Sequence, residues 1–211
     1  MIKIVVAFIL FTVSLFAWKS TISHISAQVE LRMIKGHSYH KGCPVGLSEL
    51  RYLRLPYRDF KGSVCMGEMI VHQEVASEVV ALFAQLYKRG YPIAKMQLIS
   101  DYGGSDWRSI EADNTSAFNC RKATGSKKWS KHAYGKAIDI NPLENPYISR
   151  SGHISHKASL PYKKRVIRHK GRAKERAMLL GNGEEVRMFE KRGWQWGGRW
   201  KRVKDYQHFS K

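Results

Sequence analysis

Two short segments far apart in the chain, Ser130-x-His132-x-x-Gly135-x-Ala137-x-Asp139 and Asp205-x-x-His208, together offer two histidines and two aspartates. A fold that uses them has to bring residues 130–139 against residues 205–208 in a rigid setting. Zinc in catalytic sites takes three protein ligands and keeps one position for water. His132 and Asp139 are seven residues apart, with Gly135 between them to allow a bend, and His208 closes the set from the end of the chain. Water on such an ion has its pKa lowered to roughly 7 and becomes a nucleophile at neutral pH. A second carboxylate must then accept the water's proton and pass it to the leaving amine. Asp205, three residues before His208, can reach the water without binding the metal. This is the equipment of a zinc hydrolase. Any single histidine among the nine is more often a surface residue than a ligand, and His37, His40, His153, His156 and His169 are read as solvated. It is the combination that carries the reading.

The rest of the chain says where such chemistry takes place. Its 37 Lys and Arg against 17 Asp and Glu give a formal net charge of +20, which favours polyanionic surroundings. Met1-Ile2-Lys3 is followed by an uncharged, largely apolar run over residues 4–18, the length of a signal-peptide core and short of the roughly 20 residues of a membrane span. Residues 1–27 are therefore expected to be a signal peptide or an N-terminal anchor, with cleavage-compatible small residues at Ala17 and Ala27. Export to the periplasm or cell envelope excludes cytoplasmic nucleic acid as a partner and points to anionic cell-wall polymer, with a membrane tether through the N-terminus if the segment is kept. Three cysteines, Cys43, Cys65 and Cys120, allow one disulfide and one free thiol, with three pairings open.

Along the chain, residues 28–42 read as a linker or an arm lying on the domain, and residues 43–211 as the domain itself. Residues 43–67 carry short apolar pieces between Pro44, Pro56 and Gly62, which suits irregular structure with short strands. Residues 73–89 form the clearest helix: Val75, Val79, Leu82, Phe83 and Leu86 recur at three- and four-residue spacing, and Gly90 and Pro92 end it. Strands are expected over 95–102, 116–121, 137–141 and 206–209, and a short helix over 184–191. In an extended 137–141 segment, Ala137, Asp139 and Asn141 face one way while Ile138 and Ile140 face the core. The run from Lys163 to Arg176 is strongly basic and reads as a solvated face.

The motif resembles a known family. Ser130-x-His132-x-x-Gly135-x-Ala137-x-Asp139, then Gly193-Trp194-x-Trp196-Gly197-Gly198-x-Trp200 and Asp205-x-x-His208-Phe209, is similar to the D-alanyl-D-alanine carboxypeptidase branch of the LAS-type zinc peptidases, which also includes phage endolysins that cut the L-alanyl-D-glutamate bond of peptidoglycan. The segments 113–121 and 139–142 fit that branch too. The resemblance implies that His132, Asp139 and His208 bind Zn2+ and that Asp205 is the general base; an Asp at that position is the endolysin-like choice, where many relatives carry Glu. It implies that Arg121 steadies the scissile carbonyl or a substrate carboxylate. Ser130 is a candidate to hydrogen-bond substrate, and Trp196 to wall the pocket.

The expected architecture is a compact α+β domain, with a small antiparallel sheet carrying the zinc site and helices packed on its outer face. The expected function is zinc-dependent hydrolysis of peptidoglycan stem peptides by a monomer. D-alanyl-D-alanine carboxypeptidase action comes first, L-alanyl-D-glutamate-type endopeptidase action second, and a non-catalytic metal-containing wall-binding module is the rival from another class.

Overall fold

A computed structural model describes residues 18–211. The apolar N-terminal run, expected to be a signal peptide or anchor, lies for residues 1–17 outside the described residues. The first elements are β1 (Thr21–Ser23), α1 (Ala27–Lys35), β2 (Leu50–Arg58), β3 (Val64–His72) and α2 (Gln73–Lys88). They are followed by β4 (Lys95–Met96), α3 (Asp106–Glu111), β5 (Asn114–Thr115), β6 (Ala137–Asp139) and β7 (Tyr147–Ile148). The chain ends with α4 (Ala173–Arg176), α5 (Glu184–Glu190), β8 (Gln195–Trp196), β9 (Lys204–Asp205) and β10 (His208–Ser210). The architecture is α+β as expected. One three-stranded sheet runs β1-β2-β3 and a second runs β6-β10-β8, both antiparallel; β4-β5 and β7-β9 are short pairs. No helix among the described residues is long and apolar enough to cross a membrane.

One core joins these layers. The α2 stripe (Val75, Val79, Leu82, Phe83, Leu86) meets Leu53, Leu55, Met69 and Val71 of the β2–β3 hairpin on one side. On the other it meets Ile138, Phe209, Phe189 and Trp194 of the small sheet and α5. Phe189 stacks on Phe209 with ring centroids 4.1 Å apart. Truncating rings buried this fully costs about 3–5 kcal/mol each, so the sheet that carries Asp139 and His208 is fastened from behind by α2 and α5.

The hairpin differs from the irregular structure expected over residues 43–67. Two nine-residue strands pair along their whole length, from Leu50↔His72 to Arg58↔Val64. Pro56 is tolerated because β1 covers β2 only over Tyr52–Arg54, so no strand asks Pro56 for an N–H on that edge, and its carbonyl accepts from Trp18 Nε1 at 3.3 Å instead. Gly62 (φ +85°) lies in the turn rather than ending the structure, and Asp59 Oδ1 accepts from Lys61 N and Ser63 N at 2.8 Å each. Ahead of the hairpin, the stretch read as linker or arm contains α1, capped by Ser26 and buried at Met33, and Thr21–Ser23 forms the edge strand β1. Arg32 anchors α1 by pairing with both Glu68 and Asp101.

Two expected strands are shorter than their pattern. Only Lys95–Met96 is extended in the 95–102 segment, and a 3-10 turn follows over Ile99–Tyr102. The 116–121 segment bridges β6 only at Ser116↔Asp139, after the two-residue β5. The alternation proposed for 137–141 also fails at its ends, since Ala137 and Asn141 are fully buried. Asn141 takes a left-handed turn (φ +44°); its Oδ1 accepts from Ala94 N and its Nδ2 donates to Pro92 O. Asn145 then donates to the carbonyls of Ile140, Asn141 and Ala177. These amides satisfy backbone groups that the end of β6 would otherwise bury unpaired. Arg165 departs from the solvated basic face: it turns inward to Glu144 O, Asn145 Oδ1 and Leu179 O.

The cysteines resolve to a Cys43–Cys120 disulfide, with Cys65 a half-buried free thiol. The bridge spans 77 residues. A loop of that size removes enough unfolded-state entropy to contribute about 4 kcal/mol. The paired Cys43→Ser, Cys120→Ser variant is expected to lose stability on that scale in urea unfolding; an unchanged midpoint would contradict the assignment.

Asp113 and Glu144 form a buried carboxyl pair. Burial raises both groups, and the Asp113 charge raises Glu144 further. The folded pair therefore keeps a proton that a free glutamate releases near its ordinary value of 4.5. Folding takes up a proton above that pH, so stability falls as pH rises from there, by at most about 1.4 kcal/mol per unit. Glu144→Gln should flatten this dependence in unfolding curves taken from pH 5 upward; an identical slope in the variant would refute the shared proton.

Candidate metal centre

The β6–β10 ladder sets Asp139 directly opposite His208. The third residue, His132, comes from a 3-10 turn over Lys131–Tyr134. Ser130 caps that turn, its hydroxyl accepting from His132 N at 3.3 Å. Gly135 ends it at φ +65°, where a Cβ would meet His72 N at 2.5 Å. Only glycine fits this approach. Gly135 O accepts from His72 N at 2.9 Å, which ties the turn to the large hairpin.

The three side chains converge. His132 Nε2 lies 3.2 Å from His208 Nδ1 and 3.3 Å from Asp139 Oδ2, and His208 Nδ1 lies 3.0 Å from Asp139 Oδ1. Ligand atoms bound at about 2.0–2.1 Å in a tetrahedral site stand about 3.3 Å from one another, so these separations fit one small cation. The donor set agrees. His132 Nδ1 makes a 2.5 Å hydrogen bond with Ala117 O. As the carbonyl can only accept, Nδ1 carries the proton and Nε2 presents a lone pair to the centre. Two imidazole nitrogens and a carboxylate oxygen then point at one place, an arrangement that a cation satisfies better than one shared proton does. Burial opposes charge at both His132 and Asp139, yet their attraction outweighs it: His132 is raised, and the two histidines hold the Asp139 carboxyl well below the ordinary range.

Asp205 sits beside this group without joining it. Its strand β9 pairs with β7, Tyr147 opposite Asp205. Gly197 lets β9 come close, since a Cβ there would lie 2.5 Å from Asp205 O. Asp205 Oδ1 is buried with no hydrogen-bond partner. Burial, then the nearby Asp139 charge, push its carboxyl above the ordinary aspartate range. The neighbouring His208 and a hydrogen bond from the Gln207 side chain pull the carboxyl back only in part. A carboxylate shifted towards neutrality, with one oxygen left free of hydrogen bonds, is suited to trading a proton.

A cleft of about 870 Å³ opens over these residues. Arg121 lines it, ion-paired with Asp106 and donating to Lys122 O at 3.0 Å, and its charge reaches His132. Ser130 also lines the cleft, with its hydroxyl acting as the turn cap. Trp196 does not: it is 3% exposed, packs against Phe209 and donates from Nε1 to Tyr206 O. The reason is alternation along residues 194–196, which turns Trp194 and Trp196 inward on either side of exposed Gln195. The wall near the centre is instead Trp200, its ring centroid 5.4 Å from that of His208. Its setting among Arg199, Lys201 and Arg202 was the available signal, because a tryptophan flanked by solvated charges is poorly placed for a core.

A second group, His40, Cys43 and Cys120, also clusters within metal-binding distance. There the two sulfurs are joined to each other, so neither is a thiolate able to bind. His40, expected to be solvated, instead uses its Nε2 to contact Cys120 O at 3.2 Å.

Residues 124–211 match a family model described as D-alanyl-D-alanine carboxypeptidase, of the M15 peptidases. The match spans His132, Asp139, Asp205 and His208, and bears out the resemblance seen in the motifs. Arg121 and the whole β1–β3 layer precede it. No curated protein and no solved structure matches the chain.

A cation at saturating concentration, about 100 times its Kd, adds roughly 2.7 kcal/mol to a protein that binds it only when folded. Zinc added to metal-stripped protein should raise Tm accordingly, and His208→Ala should abolish the rise. An equal rise in the variant would move the binding site elsewhere.

Proposed function

We propose that the chain is a zinc-dependent peptidase acting on the stem peptides of peptidoglycan, with D-alanyl-D-alanine carboxypeptidase action as the first reading. The carrying observation is the division of labour at the centre. His132, Asp139 and His208 face one point at ligand separations, while Asp205 stands apart with a buried, unpartnered oxygen. His132, Asp139 and His208 would hold the zinc. When bound, zinc would polarise the scissile carbonyl and acidify water.

The remaining work falls to the protein. Asp205 Oδ1 accepts a proton from the attacking water, whose oxygen bonds to the carbonyl carbon. The C–N bond then breaks, and Asp205 returns the proton to the leaving amine. The upward shift of its carboxyl serves both halves of this exchange. Arg121 supplies positive charge for the developing oxyanion or for a substrate carboxylate. Trp200, against His208, keeps bulk water from the reacting atoms.

The breadth of the cleft favours internal cutting, of the L-alanyl-D-glutamate type, as the second reading. A wall-binding module without chemistry leaves the buried Asp205 oxygen unexplained. The basic composition and the apolar N-terminal run support an exported protein in the periplasm or cell envelope. There, exposed Lys163, Lys164, Arg168, Lys170, Arg172 and Lys174 would meet anionic wall polymer.

Incubation with a pentapeptide-bearing muropeptide, followed by mass analysis, separates the readings. Loss of one alanine supports the carboxypeptidase and release of a longer peptide the endopeptidase. Asp205→Asn should keep its zinc and lose about 10²–10⁴-fold in turnover. No product from fully zinc-loaded protein would leave only the binding module.

A further inference from the structure

Large aromatic rings exposed to water are costly, and contiguous ones mark binding surfaces. Among the described residues, the aromatic side chains classed as exposed are Trp107 (52%), Tyr147 (44%) and Trp200 (36%), and all three line the cleft of the metal centre. Trp200 belongs beside the reacting atoms. Trp107 and Tyr147 have no part in the chemistry described above. Trp107 projects from α3 and is held by His156, whose ring lies 4.0 Å from it, tilted by 32°, and whose Nε2 contacts Trp107 O at 3.3 Å. One side of the indole is thus braced by a ring, and the residue still keeps half its surface open.

The peptide of the substrate does not account for such walls. A stem built from alanine, glutamate and a diamino acid offers methyl, carboxylate and amine groups, for which Arg121, Lys128 and Lys131 in the same lining are partners. It offers no broad apolar face. The sugar from which a stem peptide hangs does: a pyranose chair presents C–H groups across its faces and polar groups around its rim. That shape suits an aromatic ring with a polar surround.

Resting on the peptidase reading, we propose that Trp107, braced by His156, binds the amino-sugar ring that carries the stem peptide, with Tyr147 a second exposed ring lining the same cleft. The chain is then a hydrolase of glycan-attached peptides in preference to free ones. Trp107 and Tyr147 act in specificity, and the reacting bond lies within a peptide's length of the sugar.

The test separates this proposal from the peptidase reading because its first arm needs no catalysis. A peptide-free amino-sugar disaccharide, titrated into zinc-loaded protein, should shift the Trp107 indole N–H signal in NMR spectra, and the shift of neighbouring signals should disappear in Trp107→Ala. The second arm compares KM for one pentapeptide, free and attached to the disaccharide. Wild type should prefer the attached form by roughly tenfold, the scale of one good aromatic contact. Trp107→Ala should bring the two KM values together, and Trp107→Phe should restore part of the difference. Absence of any disaccharide-induced shift overturns the proposal, whether or not the protein cuts peptides. So does a preference that survives in Trp107→Ala, or one that follows a second, cross-linked peptide instead of the sugar. If the disaccharide binds but neither peptide is cut, the sugar site stands and the peptidase reading falls.

Discussion

In the ladder between β6 and β10, the backbone places Asp139 opposite His208, and the functional distances follow from that register. A slip of one residue would turn Asp139 towards the core and bring Ile138 to the centre. The register is pinned from behind, where Ile138 and Phe209 are fully buried against α2 and α5. The same apolar packing that stabilises the domain therefore sets the separation of two candidate ligands.

The third candidate ligand and the base reach the centre by close approaches rather than by strand pairing. Gly135 lets the His132 turn lie against the start of α2, and Gly197 lets β9 deliver Asp205. Beyond β6, Asn141 and Asn145 stitch the chain's exit to two other segments, at Pro92–Ala94 and at Ala177. Glycines and buried amides thus fix a set of side chains that no single element could hold. This is the rigidity a centre needs when its atoms must keep their places within a fraction of an ångström.

The parts of this arrangement legible in the sequence were those encoded locally. His132, Gly135, Asp139, Asp205 and His208 lie in short segments whose spacing carries the chemistry, and the α2 stripe announces itself by period. The β2–β3 hairpin was not legible. Its Pro56 and Gly62 read as breakers until the chain's third dimension shows one beyond the reach of β1 and the other in the turn. The α1 helix was missed because its only fully buried side chain is Met33 and its apolar Leu31 and Ile34 face solvent. Choosing Trp196 over Trp200 for the pocket wall failed for a related reason: three nearby tryptophans look alike until strand alternation sends two inward. The pairing of Cys43 with Cys120 depends on a contact across 77 residues that no local pattern carries.

One cation bound by three residues at one place is what the centre is built for, and anomalous diffraction from crystals of zinc-loaded protein addresses that most directly. The expected result is one strong zinc peak bound by His132 Nε2, Asp139 and His208 Nδ1 at about 2.0–2.2 Å, with Asp205 close by but outside the ligand set. A peak at His40 and the Cys43–Cys120 bridge, a peak that recruits Asp205 as a ligand, or none at the centre would contradict it.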